Sequence, residues 1–170
     1  MLKIIITGPE SSGKTTLARS LAQHYHTNWV PEYARHYLNQ LDRPYQEQDL
    51  LIIARGQIER EDELAQSTNL LICDTSLLVI KIWSEYRYGR CHPWILEQLA
   101  KRPVDLYLLC CPDIPWEYDP QRENAHDRDV LFKRYQEALT RQKQNNVTIS
   151  GNRTQRLPQA IKAIDSLRDS

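Results

Sequence analysis

Residues 8–15 read Gly-Pro-Glu-Ser-Ser-Gly-Lys-Thr and match the pattern G-x-x-x-x-G-K-[ST] without a mismatch. The chemistry this pattern serves is the holding of a phosphate chain. Gly8 and Gly13 permit a tight backbone path that turns successive N–H groups toward anionic oxygens, and Glu10, Ser11 and Ser12 lie along that path. Lys14 neutralises the β- and γ-phosphates, and the Thr15 hydroxyl is placed to ligate Mg²⁺. The helix expected to follow adds the positive end of its dipole at the same point. The bland alternative is a glycine-rich turn capping a helix with Lys14 in solvent. The full match, immediately after a strand-like run and before a helical one, argues against it.

Further residues have types and positions that suit the same chemistry. Asp74 closes the apolar run Leu70 to Cys73, where P-loop proteins carry a second carboxylate for magnesium. The competing role is the cap of a helix starting near Ser76, for which Thr75 or Ser76 would also serve. In Trp29-Val-Pro-Glu32-Tyr33-Ala-Arg35, Glu32 is suited to take a proton from an attacking hydroxyl or to grip a ribose diol. Arg35 is suited to neutralise phosphate charge. Pro31 and Glu32 equally suit the first turn of a surface helix. Arg122, Arg128 and Arg134 lie in or just after residues 112–129, a stretch with three prolines and little periodicity. This segment reads as a mobile lid that excludes water, with one or two arginines facing the transition state and the others in solvent. Trp83, Tyr86, Tyr88, His92 and Trp94 crowd one region and supply either core packing or a stacking surface.

These groups need strands to end beside them. Leu2–Thr7, Asn28–Pro31, Asn69–Asp74, Val104–Cys111 and Val147–Ile149 are short apolar runs that read as strands. Between them, Leu17, Leu21, Ala22 and Tyr25 mark one helical face, and Leu50, Ala54 and Ile58 mark another in a helix over about 46–66. Ser76–Tyr88 and Pro93–Lys101 read as helices parted by Gly89; Leu131, Tyr135, Ala138 and Leu139 resume a helical face. Leu157, Ala160, Ile161, Ile164 and Leu167 close the chain in an amphipathic helix. The alternation predicts an α/β fold: a three-layer P-loop NTPase sandwich with a mostly parallel sheet, nucleoside/nucleotide-kinase-like, with ligands beyond the carboxyl ends of its strands.

The 170 residues fit one domain and can bury one core. Lys plus Arg and Asp plus Glu each number 22, a zero net charge that argues against nonspecific nucleic-acid binding. No apolar run is long enough for a bilayer, so no membrane role is expected. Cys73, Cys91, Cys110 and Cys111 include no C-x-x-C pair and read as free thiols, which with the lack of a leader-like N-terminus points to the cytoplasm.

In order, GPESSGKTTLA, VPEYAR, ICDTS, YGRCHPW and PWEYDPQR resemble the ribosylnicotinamide kinase domain of NadR-type NAD-biosynthesis proteins over nearly the whole chain. The P-loop is shared with many NTPases; the specific part of the likeness lies in Glu10-Ser11-Ser12 and in Glu32-Tyr33-x-Arg35. The resemblance implies transfer of a phosphoryl group from ATP, with Mg²⁺, to the 5′-hydroxyl of nicotinamide riboside. It implies Gly13, Lys14, Thr15 and Thr16 on ATP and magnesium, and Asp74 at the metal or the acceptor hydroxyl. It further implies Glu32, Tyr33 and Arg35 at the acceptor, and Trp116, Asp119 and Arg122 in the lid. Pro9 departs from the family pattern, which has a second glycine there, and removes one N–H donor. The family's adenylyltransferase and DNA-binding modules have no room in 170 residues. Two other readings stay open: a kinase of another nucleoside or small alcohol, and an NTP-hydrolysing switch. The N-K-x-D signature of GTP switches is absent.

Overall fold

A computed structural model describes residues 1–170. Its centre is β1 (Leu2–Thr7), whose Ile4 and Ile6 point to one face of the sheet and Ile5 to the other. All three isoleucines are fully buried, as a strand covered on both faces requires. β1 pairs in parallel with β3 (Leu70–Asp74) on one side and β4 (Leu106–Cys110) on the other. The short β2 (Trp29–Val30) and β5 (Asn146–Ile149) form the edges, giving the order β2-β3-β1-β4-β5, parallel throughout.

Two layers of helix cover the sheet. On the face of Ile4 and Ile6 lie α1 (Lys14–His24), through Leu17 and Leu21, and the closing helix, through Ala160 and Ile164. On the face of Ile5 lie the helix Leu77–Tyr88, through Leu78 and Ile82, and the helix Arg128–Arg141, through Leu131, Tyr135 and Leu139. In chain order the remaining helices are α2 (Tyr33–Gln40), α3 (Glu47–Ala65), α4 (Leu77–Tyr88), α5 (Pro93–Lys101), α6 (Arg128–Arg141) and α7 (Arg153–Arg168). A smaller cluster, including Leu50, Ile53, Leu77 and Ile95, ties α2, α3, α4 and α5 together.

The predicted α/β sandwich is therefore the fold. The helix start allowed at Pro31-Glu32 is real: Glu32 occupies the N-cap position of α2, without a capping hydrogen bond from its side chain. Between Cys110 and Arg128 the chain has no helix or strand. No helix is long and apolar enough to cross a membrane.

Candidate active site

The connection from β1 to α1 holds Gly8 at φ 137° and Gly13 at φ 84°, conformations that favour glycine, and Ser11 at φ 55°. At Gly8 a second constraint acts, because a Cβ would sit 2.7 Å from the carbonyl oxygen of Cys110. Gly13 is the N-cap of α1 and offers no side-chain cap, so the first-turn N–H groups stay free for an anion. Lys14 Nζ donates to the carbonyls of Gly8 at 2.9 Å and Pro9 at 2.8 Å, and Ser12 Oγ donates to Pro9 at 2.6 Å. Pro9 lacks an N–H, but its carbonyl is a hub of the loop.

The register Ile6↔Asp74 sets Asp74 beside the end of β1. Its Oδ2 accepts a hydrogen bond from Thr15 Oγ1 at 2.6 Å, while the buried Oδ1 has no protein partner. Burial raises the pKa of this carboxyl, against the Thr15 hydrogen bond and the Lys14 charge. Capping of α4 falls to Ser76, whose Oγ accepts from Leu78 N at 3.3 Å, so Asp74 is free of that duty. Between them Thr75, β-branched, stands at φ 72°, an uncommon conformation beside a candidate site. Glu32 faces the same cavity. Burial raises the pKa of its carboxyl, and the charge of Asp74 raises it further.

The segment between β4 and α6 lies over the phosphate loop. Glu10 Oε2 accepts from the backbone N–H groups of Glu123 (3.1 Å) and Asn124 (3.0 Å), and Ser11 Oγ from that of Glu117 (3.0 Å). Arg35 donates to both carboxylate oxygens of Asp119 at 2.8 Å, which links α2 to this segment. Arg122 donates to the Glu117 carbonyl at 2.6 Å and rests on the Trp116 ring. Arg128 holds the carbonyls of Ser11 (3.1 Å) and Ile114 (2.9 Å). Arg134 stacks on Tyr86.

Together these elements enclose a cavity of ≈ 760 Å³, ample for a nucleotide and a small acceptor. The phosphate loop from Gly8 through Thr16, Glu32, Arg35, Asp74 and Arg122 all line it. Tyr33 does not: its ring packs over Gly56 of α3 and under Arg60, and its backbone N–H donates to Gln57. Of the aromatic group, Trp83 and Tyr86 line the cavity, whereas Tyr88 and Trp94 pack in the α2–α5 cluster and His92 caps α5.

Sequence reasoning missed Arg156, which is buried and lines the cavity beside Gly13. The signal was present: Arg156 is in phase with Ala160 and Ile164 on the buried face of α7, and a charge at such a position needs partners. Pro158 hides it by making the residues before it look non-helical, although α7 begins at Arg153 and contains that proline.

A family profile described as an AAA domain matches residues 3–156. The chain belongs to this AAA-domain family. Among curated proteins, the trifunctional NAD biosynthesis/regulator protein NadR of Salmonella typhimurium is 28% identical over 153 residues, covering 85% of this chain and 36% of the relative. Among solved structures, a NadR protein in complex with NR aligns at a TM-score of 0.81 and 22% identity, covering 97% of this AAA-domain chain and 51% of the other. Thymidylate kinase from Ehrlichia chaffeensis aligns at 0.61 and 16% identity over 98% of both chains. The chain thus spans about a third of the length of the curated relatives it matches. The NadR resemblance carried by the sequence motifs is borne out, and the AAA-domain chain has the P-loop fold these structures share.

Proposed function

We propose that the protein transfers the γ-phosphoryl group of ATP to the 5′-hydroxyl of a nucleoside, with nicotinamide riboside as the acceptor and nicotinamide mononucleotide as the product. The observation that carries the reading is the contact of the Thr15 hydroxyl with Asp74, beside Lys14 and facing Glu32 in one cavity. The naming of its relatives as NadR, and the NadR structure in complex with NR, support the choice of acceptor. On this reading residues 1–170 act as one kinase unit, and free thiols and a need for ATP suit the cytoplasm.

The donor side rests on the phosphate loop. Lys14 leaves the carbonyls of Gly8 and Pro9 and turns its ammonium onto the β- and γ-phosphates. Thr15 and Asp74 would hold Mg²⁺: they form a hard oxygen pair, and the unpartnered Oδ1 of Asp74 is an orphaned buried acceptor that a cation satisfies. No three His, Cys, Asp or Glu side chains form a metal cage, as fits an ion that takes its other ligands from phosphate and water. When bound, Mg²⁺ neutralises charge on the β- and γ-oxygens.

On the acceptor side, Glu32 takes the proton of the 5′-hydroxyl as its oxygen bonds to the γ-phosphorus and the bond to the ADP oxygen breaks. A raised pKa makes Glu32 a stronger base than an exposed carboxylate. Arg122, which lines the cavity, would oppose the charge of the transferring group. Trp83 and Tyr86 present aromatic surface to the acceptor's base, which favours a cationic pyridinium ring.

The test is a panel of nicotinamide riboside, adenosine, cytidine and thymidine with ATP and Mg²⁺, compared by kcat/KM. Nicotinamide riboside is expected to lead by roughly 10- to 200-fold, the discrimination a pocket of this kind supplies. Lys14→Ala should lower turnover about 10²-fold or more at unchanged circular dichroism. A common nucleoside in the lead would overturn the acceptor. ATP hydrolysis without any nucleoside product would favour an NTP-driven switch instead.

A further inference from the structure

We infer that Arg156 is a positioning residue of the phosphate loop, one that orients the loop's amide groups toward the phosphate chain from the side of the loops after β4 and β5. The inference rests on the donor site of the proposed function. It starts from a cost: an arginine only 4% exposed must find acceptors for its fixed fork of donors. Arg156 finds them in three separate pieces of chain. Nε donates to the Gly151 carbonyl at 2.7 Å, Nη2 to the Cys111 carbonyl at 2.8 Å and to the Asp113 carboxylate, and Nη1 to the Ser12 carbonyl. Asp113 also accepts from Gly151 N at 2.6 Å, so the loops after β4 and β5 are locked to each other and to the guanidinium.

The bond to Ser12 is the consequential one. In a trans peptide the C=O and the next N–H point to opposite sides. With the Ser12 oxygen held by Arg156, the Gly13 N–H faces away from the guanidinium. Arg128 does the same to the preceding peptide through Ser11 O, which turns the Ser12 N–H. Two arginines therefore fix two successive amides of the anion-binding loop, and neither amide can flip to offer its carbonyl to a phosphate. The fit at Gly13 is close: a Cβ there would lie 3.1 Å from Nη1 of Arg156. In the sheet order, the β4–β5 side from which Arg156 acts lies across β1 from Glu32, which follows β2. Its effect therefore belongs to the donor, not the acceptor.

Arg156→Lys keeps the charge but cannot serve several acceptors in one plane. Asp113→Asn leaves Arg156 in place but loosens its fork, and decides the matter if Arg156→Lys does not fold. The probes are ATP, inorganic tripolyphosphate, which has phosphates but no base, and nicotinamide riboside. Affinities for the first two are read by calorimetry with Mg²⁺, and the KM of the third by turnover. Both variants should weaken ATP and tripolyphosphate by the same factor, about tenfold for Arg156→Lys and less for Asp113→Asn, with the acceptor KM unchanged. Loss of ATP binding with tripolyphosphate unaffected would mean a contact to the base and overturn the inference. Unchanged binding of both with a lowered melting temperature would overturn it too, leaving a structural role only. A parent protein that binds tripolyphosphate and ATP but phosphorylates no nucleoside would remove the proposed function, while the comparison of binding would still judge Arg156.

Discussion

Glu32 and Asp74 are two carboxyls that share one cavity, and the charge of Asp74 raises the cost of ionising Glu32. Burial comes first as the cause for both, and the Asp74 charge adds to it at Glu32. If Glu32 is the base, the acidic limb of kcat/KM lies above the ordinary carboxylate range, because activity needs it deprotonated. Removing a like charge lowers a carboxyl pKa, so Asp74→Asn should move the Glu32 titration downward, as read by carboxyl NMR of the ligand-free protein. An unmoved titration would show that the two do not feel each other. The same raised pKa values have a stability sign. The folded state holds these protons more tightly than the unfolded chain, so the contribution is fullest at acid pH and is lost as pH rises through the folded-state values. Asp119, held below its usual range by Arg35, has the opposite sign and favours folding above its unfolded-state pKa.

At the scale of elements, α3 carries a glycine in mid-helix, where helix propensity alone favours alanine by about 1 kcal/mol. Gly56 lies under the Tyr33 ring, and a Cβ there would stand 2.1 Å from a ring carbon. Packing therefore decides the sign: Gly56→Ala should destabilise the fold by about 1–3 kcal/mol in urea denaturation, as overpacking does. Tyr33→Leu in the same chain should recover much of the loss. A stabilised single variant would show that the α2–α3 contact yields easily. The contact bears on the proposed function because α2 carries Glu32 and Arg35 at the cavity wall, so that α3, from a distance, would set the placement of the acceptor.

For the whole molecule, the segment between β4 and α6 bridges the two halves of the cavity. It touches the phosphate loop through Glu10 and Ser11 and touches α2 through Asp119 and Arg35. On the proposed kinase reading such contacts would couple the segment, as a lid, to both substrate sides and so exclude water at transfer. Hydrogen exchange of residues 112–127 should slow when ATP and acceptor are both bound. In the ligand-free protein, Glu10→Ala should speed exchange at the amides of Glu123 and Asn124. Exchange indifferent to both substrates would make the segment an ordinary surface loop.

By itself the sequence determined whatever depends on local pattern: the phosphate loop, the parallel sheet of short apolar strands, and Asp74 at a strand end. Each follows from residues adjacent in the chain or from a period of two or 3.6, which the backbone imposes before tertiary contacts form. Only the tertiary structure decided the rest. Tyr33 stands one residue from Glu32, yet the start of α2 turns it away from the cavity and onto Gly56. Arg35 turns its Nη1 onto both carboxylate oxygens of Asp119, 84 residues away. Arg156 reaches the Ser12 carbonyl across 144 residues because the parallel order sets β4 beside β1 and brings the loop after β5 next to the phosphate loop. Partners so distant in sequence leave no periodicity to read; they are chosen by which strand lies beside which, and by the need of a buried charge to find acceptors.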